Sequence, residues 1–70
     1  MSDRVALTFD GHIAEVMLDR PAKFNALDIE TFRALDEVAR RLDGERAVRV
    51  VVVHGAGENF CAGIDLEALQ

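Results

Sequence analysis

A chain of 70 residues with a single cysteine and a net charge of −5 can build only a small core, because at this length about 60% of the unfolded surface is buried on folding. One thiol excludes an internal disulfide and fits a reducing compartment. A composition half hydrophobic and 30% charged excludes disorder. The acidic balance argues against nucleic-acid binding, which needs clustered Lys and Arg; Arg40 and Arg41 stand among Asp36, Glu37 and Asp43, the pattern of a solvated, salt-bridged face.

The longest purely apolar run, Val50 to Val53, is far below the ~20 residues that span a bilayer, so no membrane partner is expected. Met1-Ser2-Asp3-Arg4 carries no apolar leader, which leaves the cytoplasm as the expected location.

In chain order, Arg4 to Asp10 alternates, with Val5, Leu7 and Phe9 on one face, and predicts a strand. Asp10-Gly11 signals a turn, and Ile13 to Leu18 alternates again, so the first eighteen residues predict a β-hairpin. Pro21 ends the second strand and holds Arg20 extended; a short loop runs from Pro21 to Leu27. Asp28 is the expected N-cap of a helix, with Glu30 in its first turn. Phe32, Leu35, Val38, Ala39 and Leu42 form its apolar stripe, and the pairs Arg33–Glu37, Asp36–Arg40 and Glu37–Arg41 its outer face. Asp43-Gly44 marks the stop.

Val48 to His54 is rich in valine with almost no alternation, which predicts a strand buried on both faces, needing more protein around it than this chain provides. The helical crossover before it implies parallel pairing with an earlier strand. Asp65 to Leu69 predicts the start of a second helix. The fold class expected is α/β.

Between strand and helix lies a loop, residues 55–63, with three of the five glycines. The carboxyl end of a strand facing a helix N-terminus is a place for ligands. A dinucleotide fingerprint would use Gly55 and Gly57, but Phe60 occupies the third glycine position. A phosphate-binding loop would need a Gly-Lys that is absent. Cys61, between Phe60 and Ala62, reads better as a small buried side chain than as a nucleophile. His54 reads as a hydrogen-bonded structural histidine, and His12, His54 and Cys61 lack metal-ligand spacing. One further arrangement needs no reactive side chain. If Gly63 turns the backbone sharply, the Ile64 N–H points outward and can receive an oxygen that becomes negative during reaction.

Two segments together resemble a known family. Asp19-Arg20-Pro21-Ala22-Lys23-Phe24-Asn25-Ala26-Leu27 resembles the R-P-x-x-x-N-A-L segment of the enoyl-CoA hydratase/isomerase (crotonase) family. Gly55 followed by Phe60-Cys61-Ala62-Gly63-Ile64-Asp65-Leu66 resembles its G-x-G-x-x-F-C-A-G-x-D-L segment. The resemblance covers essentially the whole chain and implies residues 1–70 to be the N-terminal part of a crotonase-like ββα spiral: hairpin, helix, buried strand and the start of a second helix.

The resemblance also implies hydration or double-bond isomerisation of a 2-enoyl-CoA thioester through an oxyanion hole. Ile64 would supply one backbone N–H of that hole, aimed by Gly63. Ala22, Lys23 and Phe24 would lie along the coenzyme A, and Ala62, Gly63, Asp65 and Leu66 along the pantetheine and acyl path. Asp65 reads equally as a helix N-cap, and Asn25 as a shaper of its turn. No cofactor is held permanently; coenzyme A arrives as part of the substrate, and no metal is called for. The family's second hole donor and its acid/base carboxylates lie downstream of the pattern present here, so the 70-residue chain alone is expected to be inactive. A homotrimer or hexamer is implied for a full-length parent. The alternative is a non-catalytic truncated product or a small acyl-CoA-binding or interaction module.

Overall fold

The two alternating stretches pair with each other. In the computed structural model, which describes residues 3–69, β1 (Val5–Asp10) and β2 (Ile13–Leu18) run antiparallel, in register from Val5↔Leu18 to Asp10↔Ile13. That register makes Gly11-His12 the two-residue turn, one position later than Asp10-Gly11. His12 then clamps the hairpin to the chain beyond. Its Nδ1 donates to the Ala47 carbonyl at 2.7 Å, and its own carbonyl accepts from the Arg49 N–H at 2.8 Å.

A single turn of 3-10 helix, Pro21–Lys23, occupies the segment expected to be plain loop. Helix α1 spans Ile29–Asp43 and begins where Asp28 predicts. The Asp28 Oδ1 accepts from the Thr31 N–H at 2.9 Å and from the Thr31 hydroxyl at 2.6 Å, satisfying a donor the helix cannot use internally. The helix stops at Gly44, whose φ of −89° is right-handed; the stop needs no left-handed cap.

The buried face of α1 is Thr31, Ala34 and Val38, with Leu35 and Leu42 partly buried against the core. Phe32 and Ala39 of the predicted stripe are exposed. The helix is rotated so that small side chains meet the sheet, and Phe32 points off the covered area. Of the predicted surface pairs, Asp36–Arg40 forms at 3.2 Å, while Arg41 turns to Glu45 at 3.0 Å.

Strand β3 is Val50–Gly55, shifted by one or two residues from the predicted limits. It lies parallel to β2, from Ile13↔Val50 to Leu18↔Gly55, so the sheet order is β1-β2-β3 with β2 central. The parallel crossover follows the prediction. Burial does not: Val50 to Val53 are each 41–52% exposed. The core of Val5, Val16, Leu18, Ala34 and Val38 gathers over β1 and β2, and no residue of β3 belongs to it. A second short 3-10 turn, Leu66–Leu69, stands where a helix start was expected.

Candidate functional site

Two loops meet at the carboxyl end of β2 and β3. Residues 20–27 leave β2, and residues 55–65 leave β3. Asn25 joins them. Its side chain is 1% exposed; Oδ1 accepts from the Arg20 N–H at 2.8 Å, and Nδ2 donates to the Ala56 and Asn59 carbonyls at 3.0 and 2.7 Å. Every polar atom of a buried amide is thereby satisfied. Asn25 shapes its own turn as expected, with Phe24 and Asn25 both in left-handed backbone at φ 55° and 58°. Asn tolerates that region; for Phe it is an outlier, held by the Phe24 carbonyl accepting from the Ala62 N–H at 3.0 Å.

Gly55 is required by this junction. A Cβ there would stand 2.5 Å from the Asn59 carbonyl and 2.6 Å from Asn25 Nδ2, and closer still to the Phe60 carbonyl, where backbone has no room to give. Gly63 is required for another reason. Nothing lies within 4 Å of its would-be Cβ, but its φ of +94° is a conformation side chains rarely adopt.

That conformation decides where the Ile64 N–H goes. Leu27 and Ile64 form an isolated parallel bridge: the Leu27 N–H donates to the Gly63 carbonyl at 2.8 Å, and the Asp65 N–H donates to the Leu27 carbonyl at 2.9 Å. A trans peptide points its C=O and N–H in opposite directions. With the Gly63 carbonyl on Leu27, the Ile64 N–H faces away from Leu27. Its neighbours are committed: Ala62 N–H to Phe24, Asp65 N–H to Leu27, and Gly63 N–H to Cys61 Sγ at 3.4 Å. No described residue accepts from the Ile64 N–H.

A cleft of about 410 Å³ opens along this segment, lined on one side by Ala22, Lys23, Phe24 and Ala26 and on the other by Ala62, Ile64, Asp65, Leu66 and Glu67. Of the residues expected in the hole or along the coenzyme A and acyl path, only Gly63 lies outside the lining. Ala26 and Glu67 are additional. Glu67 follows Asp65 by two positions at the turn start, and local pattern gave no reason to place its side chain at the cleft.

Asp65 uses both carboxylate oxygens within the chain. Oδ1 accepts from the Glu67 N–H at 3.1 Å, as a cap does, and Oδ2 pairs with Arg20 Nη1 at 2.8 Å. The hydrogen bond from Arg20 holds its carboxyl below the ordinary range, so it is ionised at neutral pH. Arg20 was expected only as an extended residue before Pro21; its partner lies 45 positions away. Cys61 is partly buried against the core. No described residue hydrogen-bonds to the His54 ring; the hydrogen-bonded histidine is His12. Among the described residues no group of three or more His, Cys, Asp or Glu could hold a metal ion.

A family model described as enoyl-CoA hydratase/isomerase matches residues 13–70. Carnitinyl-CoA dehydratase of Proteus mirabilis is 45% identical over 69 residues, 97% of this chain. A probable enoyl-CoA hydratase of Mycobacterium tuberculosis is 42% identical over 67 residues, 96% of the chain. The chain spans 26% of the length of each of these relatives. Among solved structures, a probable enoyl-CoA hydratase/isomerase from Mycobacterium abscessus superimposes with a TM-score of 0.90 at 33% identity, covering 99% of this chain and 27% of that one.

Proposed function

The chain belongs to the enoyl-CoA hydratase/isomerase family, and from that premise we propose that its cleft receives an acyl-coenzyme A thioester whose carbonyl oxygen accepts from the Ile64 N–H. The observation that carries the proposal is the Gly63–Ile64 peptide, turned so that one N–H is left without an internal acceptor beside the cleft. In a reaction that builds negative charge on the thioester oxygen, a fixed donor stabilises the enolate more than the starting carbonyl. One such donor is worth about 2.7–4 kcal/mol in well-studied hydrolases. Lys23, on the opposite wall, suits the phosphates of coenzyme A, and Ala22 and Ala62 leave room for a narrow pantetheine chain.

The whole reaction is hydration or double-bond shift of a 2-enoyl thioester, which also requires proton transfer. The cleft carries two carboxylates. Asp65 is tied to Arg20, and Glu67 is exposed at the rim. A carboxylate held in an ion pair and one left in solvent make poor proton-transfer groups, so the 70-residue chain binds thioester without turning it over. The exposed valines of β3 favour the same reading, since the sheet beyond the cleft is uncovered.

Titration calorimetry with crotonyl-CoA, together with a hydration assay on the same chain, tests this. Saturable binding without turnover is expected. Turnover near that of full-length relatives overturns the inactivity of the chain. Absence of binding, with the fold intact by amide spectrum, overturns the thioester site.

A further inference from the structure

Arg20 stands at the junction of every segment that builds the cleft. Its Nη1 donates to Asp65 Oδ2 at 2.8 Å and to the Ala26 carbonyl at 3.1 Å, and lies 3.6 Å from Oδ2 of Asp28, the N-cap of α1. Its backbone N–H holds Asn25 Oδ1, and its carbonyl accepts from the Lys23 and Asn25 N–H groups at 3.1 and 2.9 Å. The Arg20 and Asp65 side chains are 17% and 14% exposed. An ion pair this withdrawn from water, with a hydrogen bond between the charges, is directional in a way that a solvated pair is not.

Ile64 is bracketed by fixed points. On one side the Gly63 carbonyl is held by Leu27. On the other, Asp65 is held twice, by Leu27 at its N–H and by Arg20 at its carboxylate. The bridge to Leu27 is isolated, with no continuing ladder to stiffen it, so the side-chain anchor supplies what neighbouring strand pairs supply in a sheet. Resting on the thioester reading above, we infer that Arg20 is a positioning residue for the Ile64 donor. By fixing Asp65 it holds the Gly63–Ile64 peptide plane at the angle that presents the N–H to a carbonyl oxygen. Arg20 does not line the cleft, so it acts through Asp65 and touches no ligand.

A residue that aims a donor affects recognition of the carbonyl; a residue that merely supports the loops affects everything bound there. Two probes separate these roles: acetyl-CoA, with a thioester carbonyl, and S-ethyl-CoA, a thioether with CH2 in its place. In the wild-type chain acetyl-CoA is expected to bind roughly 3- to 10-fold more tightly, the worth of one hydrogen bond. In Arg20→Met that ratio falls to about one while S-ethyl-CoA affinity stays within about twofold, and the Ile64 amide resonance ceases to respond to acetyl-CoA. Arg20→Lys, which keeps the charge, restores part of the ratio. Arg20→Gln, which keeps a donor for Asp65, carries the test if Arg20→Met fails to fold.

Parallel weakening of both ligands, or an unchanged ratio in the variants, overturns the inference and leaves the thioester site standing. A wild-type ratio of one with both ligands bound overturns the reading of Ile64 itself, and the inference with it.

Discussion

The core between α1 and the hairpin is apolar, with Val5, Val16 and Leu18 from the sheet meeting Ala34 and Val38 from the helix, and polar contacts such as Arg4 to Glu30 stand at its edge. At the carboxyl end of the sheet, where the two loops meet, the largest fully buried side chain among the described residues is Asn25. There the contacts are hydrogen bonds and a largely buried ion pair. Apolar burial is non-directional and scales with area, so it sets how close α1 and the sheet lie without setting the angle of any one amide. Hydrogen bonds fix angles. The region proposed to aim an N–H is built from the directional kind of contact, and the scaffold behind it from the other.

The sharpest way to break that comparison is Asn25→Ala. It strands the Arg20 N–H and the Ala56 and Asn59 carbonyls together. An unsatisfied buried group costs about 1–3 kcal/mol. Water entering from the loop side offsets part of the sum, so a loss of roughly 3 kcal/mol in urea unfolding is expected. A domain of this size has only about 4–10 kcal/mol in total. Val38→Ala, by contrast, removes two methyl-sized groups from the apolar side and is expected to cost about 2 kcal/mol, leaving the amide signals of residues 55–65 in place. If Val38→Ala proves the more damaging, or disturbs the loop as much as Asn25→Ala does, the two regions are one cooperative unit and the distinction fails.

How much of this the letters contain follows the same division. Period-two alternation and a Gly turn make the hairpin legible. Asp28 followed by a helical stripe makes α1 legible, and the crossover makes β3 parallel. These are local patterns or consequences of chirality. The stripe itself misleads by one position. Phe32 is apolar and correctly spaced, yet the covered part of the sheet is narrow, and the buried positions go to Thr31, Ala34 and Val38. The valine run likewise reports a strand able to be buried on both faces, whereas burial depends on protein this chain does not supply. At the cleft, Gly63 and Ile64 are legible because one glycine dictates a local turn. The other two supports are not. Asn25 reaches partners 31 and 34 residues away and Arg20 reaches one 45 away; no window along the chain brings those letters together.

Acid separates the regions more gently. Burial pushes the Asp28 carboxyl up, but the Thr31 hydroxyl and N–H, Arg4 and Arg20 outweigh it and bring it from 3.8 to about 2. A carboxyl whose folded pKa lies below its unfolded one binds fewer protons folded, so its stabilisation is complete above about pH 4 and is lost as pH falls toward 2. Asp65 shifts in the same direction through Arg20. Thermal unfolding followed between pH 5 and pH 2 should therefore show stability falling, and Asp28→Asn should flatten the lower part of that curve. An unchanged slope in Asp28→Asn would remove the N-cap from the polar side of the comparison.

The smallest expected effect sharpens the comparison most cleanly, because it holds chemistry constant and changes only surroundings. Arg41 pairs with Glu45 at 3.0 Å, and Arg20 with Asp65 at 2.8 Å. Both are guanidinium–carboxylate contacts of nearly equal length. The first has side chains 58% and 36% exposed, the second 17% and 14%. Water and salt screen the first pair, and the two long side chains lose rotamer freedom in forming it, so Glu45→Ala should cost no more than about 0.5 kcal/mol and vanish in high salt. Arg41 also rests its guanidinium 5.5 Å from the centre of the Phe9 ring, a contact that survives the loss of Glu45 and limits the damage further. A double-mutant cycle on Arg41 and Glu45, set beside one on Arg20 and Asp65 at low and high salt, measures the difference directly. Equal coupling energies with equal salt sensitivity would mean that burial gives the Arg20 pair no special stiffness, and the directional account of the cleft would lose its strongest support.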